Sequence, residues 1–170
     1  IFILSLAHTI RHNRIWFDRT TLWSYAVGNT SCSFNAHNNL GKQYFLNGKI
    51  DEAMTEYNIA LLKASEIQYK YPITHHNLGL IYDTKGMYDD AMREYQNALR
   101  IDPKYSESHN NLGIILFKNK QVDSAIEEFN KAISFDSNNP IYHQNLAKLY
   151  YEINMPEKAK AEQDLANCLK

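Results

Sequence analysis

Histidine and asparagine, side chains able to ligate metal or to pair with a peptide backbone, recur at fixed places in this chain. His37, His75, His109 and His143 are separated by 38, 34 and 34 residues, and two places after each stands Asn39, Asn77, Asn111 or Asn145. Such regularity puts equivalent residues on successive structural units. Packed helices lie about 8–10 Å apart, whereas zinc holds its ligands at about 2 Å, so equivalent histidines cannot share one ion. His75 and His76 are neighbours, but adjacent residues of a helix point apart. The histidines are therefore expected to pack between neighbouring helices, and no metal is expected. The asparagines have another capacity. An amide donates and accepts at once, so a ladder of them could hold the N–H and C=O groups of an extended peptide. They could equally bond to neighbouring helices and stabilise stacking.

Other chemistry is not indicated. No serine, cysteine or carboxylate is set beside a base as an activated nucleophile, and no glycine-rich phosphate loop is present, so neither catalysis nor a cofactor is expected. A net charge of −1 gives no basic field for nucleic acid. Cys32 and Cys168 sit in no metal or redox spacing and read as free thiols. Asp89-Asp90 and Glu127-Glu128 read as helix-dipole and solubility charges near helix starts. The triplet Asn29-Thr30-Ser31 has the form of a glycosylation sequon, and no role is assigned to it.

The elements that must position these residues are read from the repeat itself. Asn39-Leu40-Gly41, Asn77-Leu78-Gly79, Asn111-Leu112-Gly113 and Asn145-Leu146-Ala147 align, each followed three places on by Tyr44, Tyr82, Leu116 or Tyr150. Further along come Ala53-Tyr57-Ala60, Ala91-Tyr95-Ala98, Ala125-Phe129-Ala132 and Ala159-Gln163-Ala166. The first set lies on one face of a helix, and the second is the facing side of another. The Gly or Ala lets the two approach closely. Gly48, Gly86, Lys120 and Asn154 mark the turns between them; Lys120 suits a left-handed turn least. Pro72, Pro140 and Pro156 suit first helical turns.

These residues resemble the tetratricopeptide repeat family, whose usual period is 34 residues; Asn77–Pro103 matches its pattern at nearly every defining place, with departures at Lys120 and Gln163. The resemblance implies an all-α solenoid of antiparallel helix pairs in a right-handed superhelix. Its four units would be about 34–67, 72–105, 106–139 and 140–170. The extra residues of the first unit, around Lys63–Tyr71, hold no Gly or Pro and predict a lengthened helix. If it ends the natural chain, the last helix, Pro156–Lys170, is expected to act as a polar cap, and its deletion to expose the Phe129 stripe.

Residues 1–33 read as a degenerate helix pair that caps the array, or as the end of a membrane helix followed by a linker. Asn13, Arg14, Trp16, Leu22 and Trp23 resemble the segment after the last membrane helix in multi-spanning glycosyltransferases with C-terminal tetratricopeptide repeats, such as the transmembrane O-mannosyltransferases. That resemblance implies membrane attachment upstream of Ile1, with the repeats extracytoplasmic and acting as an accessory domain. Arg11, Arg14 and Arg19 favour the alternative, a cytoplasmic side.

In the resembled family, first helices line a concave inner face. Besides the four asparagines, that face would carry Asn38, Lys42, His76, Leu80 and Asp83. Further along it would carry Asn110, Ile114, Phe117, Gln144, Lys148 and Tyr151, with an apolar middle at Leu80, Ile114 and Phe117. The expected partner is a protein or an extended peptide, and the expected role is an interaction scaffold.

Overall fold

A computed structural model of the chain describes residues 18–29, 34–68 and 70–169. Among these residues the fold is all helical. The helices are α1 (Arg19–Asn29), α2 (Phe34–Leu46), α3 (Ile50–Glu66), α4 (Pro72–Thr84), α5 (Tyr88–Ile101), α6 (Ser106–Lys118), α7 (Val122–Phe135), α8 (Pro140–Glu152) and α9 (Pro156–Cys168). Three of them begin at the prolines expected in first turns. The chain divides into two compact bodies, residues 1–81 and 82–170. No helix among the described residues is long and apolar enough to cross a membrane.

Each repeat turns on the same hydrogen-bond motif. Gly48 N–H donates to the Phe45 carbonyl at 3.0 Å and Lys49 N–H to that of Tyr44 at 2.9 Å. Gly86 and Met87, Lys120 and Gln121, and Asn154 and Met155 repeat these two bonds onto the ends of α4, α6 and α8. The motif needs a left-handed residue, and φ is 73° at Gly48, 74° at Gly86, 63° at Lys120 and 60° at Asn154. Lys120 therefore adopts the glycine conformation despite its side chain. Three-residue connections of this kind leave the joined helices antiparallel.

Within a pair, a glycine on the first helix faces a ring on the second. A Cβ on Gly41 would lie 2.9 Å from the Tyr57 ring, and one on Gly113 would lie 3.0 Å from Phe129. The absent methyl is what admits the ring. In the last repeat the corresponding residues are Ala147 and Gln163, and both line a hollow.

In the N-terminal body, Ala53, Tyr57, Ala60 and Ala64 of α3 are buried. That helix has 17 residues against 14 in α5 and α7, so the inserted residues lengthen it as far as Glu66; Tyr69 lies outside the described residues. Ahead of α2, Asp18 caps α1 by accepting from Thr20 N–H at 3.2 Å and Thr21 N–H at 3.1 Å. Its carboxyl is held below the ordinary carboxylate range by the Thr21 hydroxyl first, then by these amides. Leu22 and Trp23 lie half-buried on α1. The remaining residues of the glycosyltransferase-like motif, the segment Ile1–Ile10, Cys32 and the sequon side chain lie outside the described residues.

The C-terminal body is built on Ala125, Phe129, Leu146, Leu149, Tyr150 and Ala159. Phe129 sits against Gly113 of α6 and in one cluster with the leucines of α8, and α9 contributes Ala159 to that core. The contacts of α9 are chiefly with α8.

Candidate functional site

The asparagines form a relay between first helices. In the N-terminal body, Asn38 Oδ1 accepts from the Thr74 hydroxyl at 3.1 Å and from Asn77 Nδ2 at 3.3 Å. In the C-terminal body, Asn110 Oδ1 accepts from Asn145 Nδ2 at 2.8 Å, while Asn110 Nδ2 donates to Asn111 Oδ1 at 3.1 Å. Asn38, Asn110 and His76 are buried, so their placement on an open inner face is corrected: the helices pack over them. Burial lowers the His76 pKa to about 4, which keeps its ring neutral near pH 7. Asn39, Asn77, Asn111 and Asn145 are half-buried. Of these, Asn77 and Asn145 each use the amide N–H within the protein and keep Oδ1 as an acceptor for a further donor. Lys42 is exposed and Leu80 is half-buried, both on first helices of the N-terminal body.

Three of the histidines pack between neighbouring helices, as expected, and each meets a glutamate there. His37 Nδ1 lies 2.7 Å from Glu56 Oε2, His109 Nδ1 lies 2.6 Å from Glu128 Oε2, and His143 Nδ1 lies 2.7 Å from Glu162 Oε2. Each pair ties the first helix of a repeat to the second, 19 residues later. Glu128 is thus no dipole charge; it sits in mid-helix and also takes Lys131 Nζ at 2.9 Å. The sequence held the signal as a constant His-to-Glu spacing, which passes across the turn and so belongs to no single-helix pattern.

His109 is doubly committed, since Nε2 also lies 3.0 Å from the Pro103 carbonyl. Two acceptors call for two ring protons, the charged imidazolium. Burial opposes that charge, but the hydrogen bond to Glu128, the Pro103 carbonyl and the Glu128 charge outweigh it, and the His109 pKa is raised. For Glu128, burial works upward, and the bonds from His109 and Lys131 bring the net shift below the usual value. The stability drawn from raised His109 is complete below its unfolded value, about 6.5, and is lost as pH rises through the folded one. That from lowered Glu128 is complete above about 4.3 and is lost as pH falls through the folded value. The pair should therefore stabilise most between about pH 4.3 and 6.5. Melts of the natural protein and His109→Gln should differ most near pH 5.5 and converge toward pH 8.5; a difference independent of pH would contradict this.

Two hollows open on the C-terminal body. The first has a volume of about 610 Å³. Its floor is Ile114, Phe117, Val122 and Phe129, and its rim carries Lys118, Lys120, Asn145, Lys148 and Glu152. Four residues expected on the inner face (Ile114, Phe117, Asn145 and Lys148) are brought together here. Lys118 is held by Asp83 at 3.0 Å and lies 4.7 Å from the centre of the Tyr88 ring, so Asp83 positions a rim cation. The second hollow, about 550 Å³, lies between α8 and α9 and gathers Gln144, Lys148 and Tyr151. Val122 and the residues of α9 were not anticipated, because they come from second helices.

Comparison with known proteins agrees with this architecture. The profile of the tetratricopeptide repeat family matches residues 84–149. Among solved structures, pilF of Pseudomonas aeruginosa is similar over 98% of this chain and 73% of its own, with 22% identity and a TM-score of 0.78. MamA is similar over 86% of this chain and 84% of its own, at 17% identity and a TM-score of 0.72. YrrB, described as a TPR protein with an unusual peptide-binding site, covers 98% of this chain and 82% of its own, at 18% identity and a TM-score of 0.67. No curated sequence matches significantly. The helix-pair fold is that of tetratricopeptide proteins.

Proposed function

We propose that this chain is a protein-interaction scaffold that holds an extended peptide on its C-terminal body, across the hollow floored by Ile114, Phe117, Val122 and Phe129. The observation that carries this reading is the composition of that hollow. An apolar floor is ringed by a few polar groups, the arrangement in which burial gives affinity and the rim fixes orientation. Asn145 spends its N–H on Asn110, so it offers Oδ1 to a backbone N–H of the ligand. Lys148, 74% exposed at the side chain, supplies charge from the rim. YrrB, similar in fold, is described as having a peptide-binding site, which supports the class of ligand. Ile114→Ser/Phe117→Ser should weaken binding of an immobilised peptide pool at least about tenfold, roughly 1.4 kcal/mol, per folded molecule as scaled by thermal melts. Lys148→Ala, on an exposed side chain, should weaken it without moving the melt. Unchanged affinity in both variants would remove this hollow as the binding site.

A further inference from the structure

The last repeat departs from the others where its ring should be. Phe129 lies over Gly113; 34 places on, the corresponding residues are Gln163 and Ala147. Gln163 does not fill the space. It is exposed, and its Nε2 donates along its own helix to Asn167 Oδ1 at 3.3 Å. The hollow of about 550 Å³ is what remains, with Ala147, Tyr151, Pro156 and Ala159 among its lining. Ala147 and Ala159 are buried, whereas Tyr151 is 75% exposed. A large ring thus stands in solvent beside a floor of small residues. Lys148 lines this hollow and the first one alike, so the two adjoin and share a cation.

We propose that the hollow between α8 and α9 takes an aromatic side chain of the bound peptide, and that the residues beside that side chain are acidic. The proposal rests on the peptide-scaffold reading and names its ligand class: an extended acidic segment with an apolar anchor for the first hollow and an aromatic one for the second. The ligand supplies a ring where the repeat has none of its own. Tyr151 gives it an aromatic neighbour, and ring pairs with centres about 4.5–7 Å apart attract beyond the area they bury. Charge selects what surrounds the ring. The two hollows are lined by Lys118, Lys120, Lys148 and Lys160 against Glu152 and Glu157. Lys118 is already paired with Asp83, and Lys148 has Glu152 at 4.0 Å. The surplus still favours carboxylates, and Lys160 stands on the rim of the second hollow.

The test uses the full chain and fluorescein-labelled Ser/Gly dodecapeptides in which Leu and Phe are separated by two, three or four Glu residues. Binding is read by fluorescence anisotropy. At the best spacing, Phe→Ser in the peptide should weaken binding at least tenfold, and Glu→Lys should abolish it. In the protein, Ala147→Gly/Gln163→Phe rebuilds the Gly113–Phe129 pair and closes the hollow with the chain's own ring. That variant should melt no lower than the natural protein and should no longer distinguish Phe from Ser in the peptide, while keeping its preference for Leu. Tyr151→Ala, at an exposed position, gives a second route: affinity for the Phe peptide falls at least threefold with the melt unchanged. A Phe→Ser effect below twofold, or equal binding of the Lys peptides, overturns the proposal. So does concentration-dependent dimerisation that the double variant abolishes, which would assign the face to a second copy of the chain. If Leu still matters and Phe does not, this inference falls and the scaffold reading stands. If neither matters, both fall.

Discussion

Truncating Phe129 to alanine should cost the protein about 3–5 kcal/mol, the usual loss for a fully buried phenylalanine. The ring is 1% exposed and sits in one cluster with Leu146, Leu149 and Tyr150. Its opposite wall is Gly113, which has no side chain to move into the vacated space. Collapse from that wall therefore needs backbone shifts of α6, which keeps the cavity term large. The corresponding change in the last repeat, Gln163→Ala, should remain within about 0.5 kcal/mol, as for an exposed residue away from the core. Urea melts of the two variants measure the contrast directly. A Phe129→Ala loss under about 1 kcal/mol would mean that the cluster is looser than its burial implies.

That contrast also marks how far the fold could be read from residue types. The alternation of Leu-small-bulky with Ala-aromatic-Ala recurs at steps of 38, 34 and 34 residues because each helix pair must bury the same two stripes, so one repeat predicts the next. Turn positions were legible for the same reason, and Lys120 shows that the periodic context outweighs the intrinsic preference of one residue. The candidate site was legible in part. Ile114, Phe117, Asn145 and Lys148 share a face by helical spacing, and they do line one hollow. Its other wall, Val122 and Phe129, comes from α7, whose placement depends on the turn geometry rather than on period. The His109–Glu128 pair escaped notice because each partner has an ordinary reading within its own helix; only the pairing across the turn reveals the ion pair. The burial of Asn38 and Asn110 escaped for a related reason. Three consecutive polar residues at 37–39 or 109–111 look like an exposed face, and only the next first helix, donating from Asn77 or Asn145, encloses the middle one.

Asn38→Ala should destabilise the N-terminal body by about 1–3 kcal/mol, the cost of leaving buried partners unsatisfied. Asn38 Oδ1 is the common acceptor for the Thr74 hydroxyl and Asn77 Nδ2. Thr74 is 1% exposed, so water cannot replace the lost acceptor without opening the contact between α2 and α4. Asn77→Ala removes one donor and leaves Asn38 bonded to Thr74, and its loss should be the smaller, about 0.5–1.5 kcal/mol for one hydrogen bond. The two effects should not add. Once Asn38 is gone, Asn77 has no acceptor there, and the double variant should be less destabilised than the sum by about 0.5 kcal/mol or more, as for residues in one network. Asn39→Ala, on the same helix but half-buried, is the control and should move the melt least. A cycle of urea melts over Asn38, Asn77 and the double variant decides the matter. Additive losses would show that the two amides act separately and that the relay between first helices contributes nothing to holding them together. A coupled loss places the repeated asparagine in the structure first, with its carbonyl oxygen and second N–H left to meet a ligand.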